Sequence, residues 1–113
     1  MEGLVKGDVI VVPFPLSARA GAKRRPVLVI GYASYSGGLD YICCMITTKD
    51  GRDADQLDIT NSDMIEGSLN QTSYIRPGYL YTCAPSKVHC KAGKVTSDKL
   101  AEAIDVLKSI LDR

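Results

Sequence analysis

The stretch Lys23-Arg24-Arg25-Pro26-Val27-Leu28-Val29-Ile30 limits what this chain can become more than any other. Three cations run into a proline and then into four aliphatic residues. The apolar run is too short and too β-branched for a helix, so it reads as a buried strand. Pro26 fits the first residue of that strand, where no N–H is owed to a ladder. It also pushes Arg25 towards extended geometry. A guanidinium is thereby held at the mouth of a rigid strand, with a fork of donors that is always charged. Taken alone, residues 23–25 also read as a solvated strand end that keeps an apolar segment soluble.

Short strands and tight turns make up most of the remaining chain. Lys6-Gly7-Asp8 reads as a turn, and residues 9–12 as a buried strand ending at Pro13-Phe14-Pro15. Residues 17–23 are small, polar and basic, with no acid. They read as a loop, a candidate flap over a polyanion through Arg19 and Lys23. Residues 26–32 form the second strand, and residues 34–39, with Gly37-Gly38, a turn. Residues 41–46 form a third strand, apolar on both faces, followed by Thr47-Thr48 and a tight turn at Asp50-Gly51. Residues 56–60 alternate as a half-exposed strand does, and residues 61–67 read as irregular. Two short strands at 74–76 and 79–83 are split by Pro77-Gly78, and residues 88–95 add an edge strand bent at Gly93. Ser97 caps a helix to about Leu111, with Leu100, Ala103, Ile104, Leu107, Ile110 and Leu111 on one stripe. No helix separates the strands, which excludes a parallel βαβ design. The expected fold is mainly β (α+β), a small, strongly bent barrel with a C-terminal helix.

At 113 residues the chain reads as one domain, residues 1–113. A formal charge of +1 gives no large field, so any anion site must come from local clustering. No apolar run approaches the roughly 20 residues of a membrane span, and Met1-Glu2-Gly3-Leu4-Val5-Lys6 does not have the pattern of a signal peptide. A cytoplasmic protein is expected, with Cys43, Cys44, Cys83 and Cys90 reduced and mostly core-filling. Cys83, His89 and Cys90 have the wrong spacing for a structural zinc site, so no metal or other cofactor is expected.

Gly7-Asp8-Val9-Ile10-Val11-Val12-Pro13-Phe14-Pro15, a loop, and Arg25-Pro26-Val27-Leu28-Val29-Ile30 resemble the opening of the PemK/MazF family of toxin ribonucleases. Ile46-Thr47-Thr48 resembles the family's second active-site strand end. Ser73-Tyr74-Ile75-Arg76-Pro77, with Leu80-Tyr81-Thr82, resembles a later block. The likeness runs in order from Gly7 to the C-terminal helix. It implies an SH3-like barrel and a homodimer. It also implies a metal-independent, sequence-selective endoribonuclease of a type II toxin–antitoxin system. The implied partners are single-stranded RNA and an acidic, partly disordered antitoxin competing for the same groove, with DNA binding only together with that antitoxin. Two rival readings stay open. One is a non-catalytic nucleic-acid- or protein-binding module of the gyrase-poison kind. The other is a degenerate homologue that only binds antitoxin.

Cutting RNA without a metal requires a 2′-hydroxyl to lose a proton and attack phosphorus, stabilised phosphate oxygens, and a protonated leaving oxygen. His89 is the only histidine, lies outside the matching blocks and reads as structural. Asp53, Asp55 and Asp58 read as a solvated acidic edge. The resemblance instead assigns catalysis to Arg25 and Thr47, with Thr48 as the neighbouring alternative. An arginine suits phosphate better than base duty, since its pKa lies above about 12. The same likeness matches Ser73 and Arg76 to the family's later block, which implies that they help to bind substrate, Ser73 by touching phosphate or bracing Arg25 and Arg76 by adding positive potential; either residue reads equally as structural. Arg19, Lys23 and Arg24 are the expected backbone-contacting cations. Tyr74, Tyr79 and Tyr81 either stack on bases or fill the core.

Overall fold

The β-branched runs pair antiparallel throughout. The computed structural model describes residues 1–17, 21–51 and 53–113. Its strands are β1 (Asp8–Ser17), β2 (Gly21–Tyr35), β3 (Gly38–Thr47), β4 (Leu57–Ile59), β5 (Met64–Glu66), β6 (Ser73–Cys83) and β7 (Cys90–Val95), followed by the helix α1 (Ser97–Leu111). They make one sheet in the order β4-β6-β3-β2-β1-β7-β5.

That sheet is curled. Phe14 on β1 and Tyr81 on β6 are separated by two strands, yet their ring centroids are 5.1 Å apart. In a flat sheet three strand spacings would hold them about 14 Å apart. The inner face carries Ile10, Val12, Phe14, Val27, Val29, Tyr41, Cys43, Met45 and Cys83. The outer face carries Val9, Leu28, Ile30, Cys44, Ile46, Ile59 and Ile75, and packs under Leu100, Ala103, Ile104 and Leu107 of α1. The central strands are therefore apolar on both sides, which is why their sequences do not alternate. The ladder shifts register between Val9 and Ile10, between Val29 and Gly31, and between Cys44 and Met45. Such bulges bend a strand and increase its twist, which curls the sheet.

The sequence-based outline is met in its main lines and differs at several boundaries. The first strand does not stop at Pro13, and Pro26 does not begin the second. Both prolines lie inside a long β1–β2 hairpin, with Val11 opposite Pro26, Pro13 opposite Arg24 and Pro15 opposite Ala22. The Val11 carbonyl accepts the His89 N–H at 2.8 Å, on the side away from β2. Positions of this parity owe no N–H to the β1–β2 ladder, so proline is tolerated there. The expected flap over residues 17–23 shrinks accordingly. Lys23 and Arg24 belong to β2, and Arg19 lies outside the described residues. Residues 61–67 are not irregular: a 3₁₀ turn (Asn61–Asp63) leads into β5. β7 is no edge, because it pairs with both β1 and β5. Pro77-Gly78 does not end β6 but forms a bulge, since Cys44 pairs with Leu80 while Met45 pairs with Arg76. The helix cap is Thr96, whose hydroxyl accepts the Lys99 N–H at 3.2 Å, one residue before Ser97.

Gly93 is where the β5 crossing presses on β7. A Cβ built there would lie 2.6 Å from the Glu66 carbonyl oxygen and 2.7 Å from the Met64 Cε. Gly93→Ala is expected to cost about 1–3 kcal/mol, read as a lower midpoint in urea denaturation with the slope unchanged.

Candidate functional site

The inner face turns polar at one end of the sheet. β2 and β3 are paired from Val27 opposite Met45, and that register carried two residues further sets Arg25 opposite Thr47. Val12 flanks Arg25 on β1, and Tyr74 flanks Thr47 on β6. One row across four strands therefore reads Val12, Arg25, Thr47, Tyr74. The row beside it reads Ile10, Val27, Met45, Arg76. Strands lie about 4.8 Å apart, so one phosphate can bridge the fork of Arg25 and the hydroxyl of Thr47.

Both groups are arranged to give hydrogen bonds. Arg24, Arg76 and Arg113 have side-chain partners in His89, Asp53 and Asp55. Arg25 has none among the described residues, and its Nε is buried without an acceptor. A buried donor left unpaired costs about 1–3 kcal/mol, a cost that a bound anion removes. Thr47 Oγ1 accepts the Lys49 N–H at 3.2 Å. That contact fixes the side chain across the strand end and leaves the hydroxyl proton to donate.

The other predicted residues are divided by the strand parity. Lys23 is exposed on the face of Arg25, opposite Phe14. Arg24 lies on the other face, where its Nη1 is 3.2 Å from His89 Nε2. Thr48 is exposed just past the end of β3. Ser73 shares the outer face with Ile75 and is 4 % exposed; its hydroxyl donates to the Gln71 carbonyl at 3.1 Å. The structure thus groups Arg25, Thr47, Tyr74, Lys23 and Arg76, and separates Ser73 and Arg24 from them. Tyr81 packs on Phe14 within the inner core, whereas Tyr79 is exposed.

Asp53 and Asp55 are not a solvated acidic edge. Asp53 Oδ2 accepts Arg76 Nε at 3.1 Å, and its side chain is 11 % exposed. Asp55 is clamped by both Nη groups of Arg113, whose hydrogen bonds hold its carboxyl below the usual range. Asp53 is the residue that sequence reasoning missed, because its partner lies 23 positions away and no local pattern marks the pair.

The cysteines of β3 offer no nucleophile. Burial pushes Cys44 from 9.0 up to about 12, and burial, then the Cys83 thiol, pushes Cys43 up as well. A thiol that hard to ionise is inert. Among the described residues no group of three or more His, Cys, Asp or Glu side chains is placed to hold a metal ion, and no helix is long and apolar enough to cross a membrane.

A curled seven-stranded sheet closed by one helix, polar at the ends of its central strands, defines a small barrel class. Within it, a family model described as PemK-like, MazF-like toxin of type II toxin–antitoxin system matches residues 5–111, and the chain belongs to that family. Among solved structures, an endoribonuclease in complex with its cognate antitoxin from Mycobacterial species superposes with a TM-score of 0.70 at 17% identity. That match covers 97% of this chain and 96% of the other. The Mycobacterium tuberculosis toxin MazF-mt6 gives 0.69 at 17%, covering 93% and 96%. At such identities the likeness shows the fold. No curated protein sequence matches this chain.

The thiols supply a test of the β3 packing. Cys44 has a raised pKa in the fold, so its stabilising contribution is whole below about 9 and is lost as the pH climbs towards about 12. Cys44→Ala is expected to lower stability at pH 7 by leaving a cavity, and to lose less stability than the wild type between pH 9 and 11. Urea denaturation at each pH reads both effects.

Proposed function

We propose that this chain is an endoribonuclease toxin that cuts single-stranded RNA without a metal. Arg25 and Thr47 hold the scissile phosphate. The 2′-oxygen gives up its proton and attacks the adjacent phosphorus, the bond to the 5′-oxygen breaks, and that oxygen gains a proton. The products are a 2′,3′-cyclic phosphate and a 5′-hydroxyl. The Arg25 fork offsets the charge that grows on the phosphate oxygens, and the Thr47 hydroxyl donates to one of them. Thr48 is exposed one residue beyond β3 and lies outside the row that sets Thr47 opposite Arg25, so this reading takes Thr47 as the threonine. Lys23 extends the positive surface on the same side; Arg24, on the other face against His89, has no part in the reading, and Arg19 lies outside the described residues. Ser73, facing the opposite side, has no part in the reading.

The observation that carries this proposal is the guanidinium of Arg25, unpaired among the described residues, opposite a hydroxyl whose proton is free to donate. Family membership and the antitoxin-bound relative support an antitoxin as partner; the homodimer and the acidic tail of that antitoxin are taken from the resemblance alone. Such a tail would mask the same cations that RNA requires.

The test is digestion of a long mixed-sequence single-stranded RNA in EDTA. The wild type is expected to make discrete cuts that end in cyclic phosphates. Arg25→Ala is expected to lower the rate by about 100-fold or more, and Thr47→Val by roughly 10-fold to 100-fold. A folded wild type that leaves the RNA intact, with and without magnesium, removes the nuclease reading and favours a binding module.

A further inference from the structure

We propose that Arg76 forms a second phosphate subsite, flanking the scissile one, and that Asp53 and Tyr79 are the positioning residues that hold its fork. The proposal rests on the reading of the chain as an RNA-cleaving toxin and adds to it where the strand must run.

Three contacts fix Arg76. Asp53 Oδ2 accepts its Nε at 3.1 Å. The Tyr79 ring lies under the guanidinium, 3.6 Å from its carbon to the ring centroid. The β6 bulge makes this stack possible, because Arg76 pairs with Met45 while Tyr79 falls in the unpaired segment before Leu80. Asp53 is itself fixed. Its Oδ1 accepts the Asp55 N–H at 2.9 Å, and its carbonyl accepts the Gln56 N–H at 3.3 Å. Asp55 is in turn clamped by Arg113. The acid is therefore part of a braced turn, and only one of its oxygens reaches the arginine.

An arginine used on its Nε still offers the edge formed by its two Nη groups. Among the described residues neither Nη of Arg76 has a partner, and the side chain keeps 21% of its exposure. Arg76 shares the inner face with Thr47, since its pairing partner Met45 is two residues from Thr47 on β3. It sits two strand spacings from β2, about 10 Å, and one row along the sheet from Arg25, and Asp53 and Tyr79 hold its fork over β6 rather than towards Arg25. The edge thus fits a backbone phosphate beside the scissile one. A cation already stacked and tethered loses little side-chain freedom on binding.

The probe is a fluorescent single-stranded oligonucleotide with every 2′-hydroxyl methylated, which binds but cannot be cut. Its affinity is followed by anisotropy across a range of salt. Asp53→Asn/Arg76→Gln, which leaves no unpaired charge behind, is expected to bind about tenfold more weakly, with a salt slope smaller by about 0.7. Tyr79→Leu and Asp53→Asn keep the cation but loosen it. They are expected to weaken binding severalfold at an unchanged salt slope, and to raise KM for a cleavable RNA while kcat stays level. Wild-type affinity and slope in the double variant overturn the subsite. Tighter binding by Asp53→Asn overturns the positioning role and makes the acid a competitor instead. A polyglutamate peptide that loses affinity in the double variant, while the oligonucleotide does not, assigns the edge to peptide carboxylates and also overturns the proposal. If the slope falls as expected but the wild type cuts no RNA, the subsite stands and the nuclease reading fails.

Discussion

The pairing of Val27 with Met45 decides what faces what at the polar end of the sheet. Side chains alternate along a strand, so a slip of one residue would turn either Arg25 or Thr47 to the outer face. The register is held because both faces of β2 and β3 are filled. Val27, Val29, Cys43 and Met45 pack inward, while Leu28, Ile30, Cys44 and Ile46 pack outward under α1. A slip would have to empty both clusters together. Two core layers thus hold in place two polar side chains that contribute little to stability themselves.

The same curl that builds the inner core also gathers the cations. Phe14 and Tyr81 meet across the inside of the sheet, and this contact brings the β1–β2 hairpin towards β6. A nearly neutral chain acquires a local positive surface in this way. Lys23 and Arg25 come from one strand and Arg76 from another, and of these Arg76 alone has a carboxylate partner among the described side chains. Net charge gives no hint of such a site; the distribution of charge over the faces does.

Buried polar groups divide into two kinds. Asp8 is 2 % exposed, accepts the Val5 N–H at 2.8 Å and has Lys91 at 3.3 Å, so it closes the turn before β1. Lys91 also reaches Glu66 at 2.9 Å and thereby ties β7 to β5. Asp8 is charge-paired with Lys91, although its Oδ1 makes no hydrogen bond, and it reads as architecture. Arg25 differs: among the described residues its buried Nε has no acceptor and its guanidinium has no carboxylate partner. A buried cation with neither acceptor nor counter-charge is the kind of group that a bound anion stabilises.

The sequence by itself determined the strand material, the single terminal helix, and the placing of Arg25 and Thr47 at the ends of apolar runs. These are local properties: β-branching, helical spacing and turn residues act within a few positions. It misplaced the ends of β1 and β2 because a proline's tolerance depends on which way its nitrogen faces, and that parity is set by the partner strand. It treated Ser73 as part of the site and Asp53 as solvent-exposed for the same kind of reason. Only the tertiary structure decided that Ser73 is buried on the outer face, that Asp53 meets Arg76 across 23 positions, and that Tyr79 is displaced by a bulge to lie against the guanidinium. Those outcomes depend on register and curl, which arise from packing distant segments together.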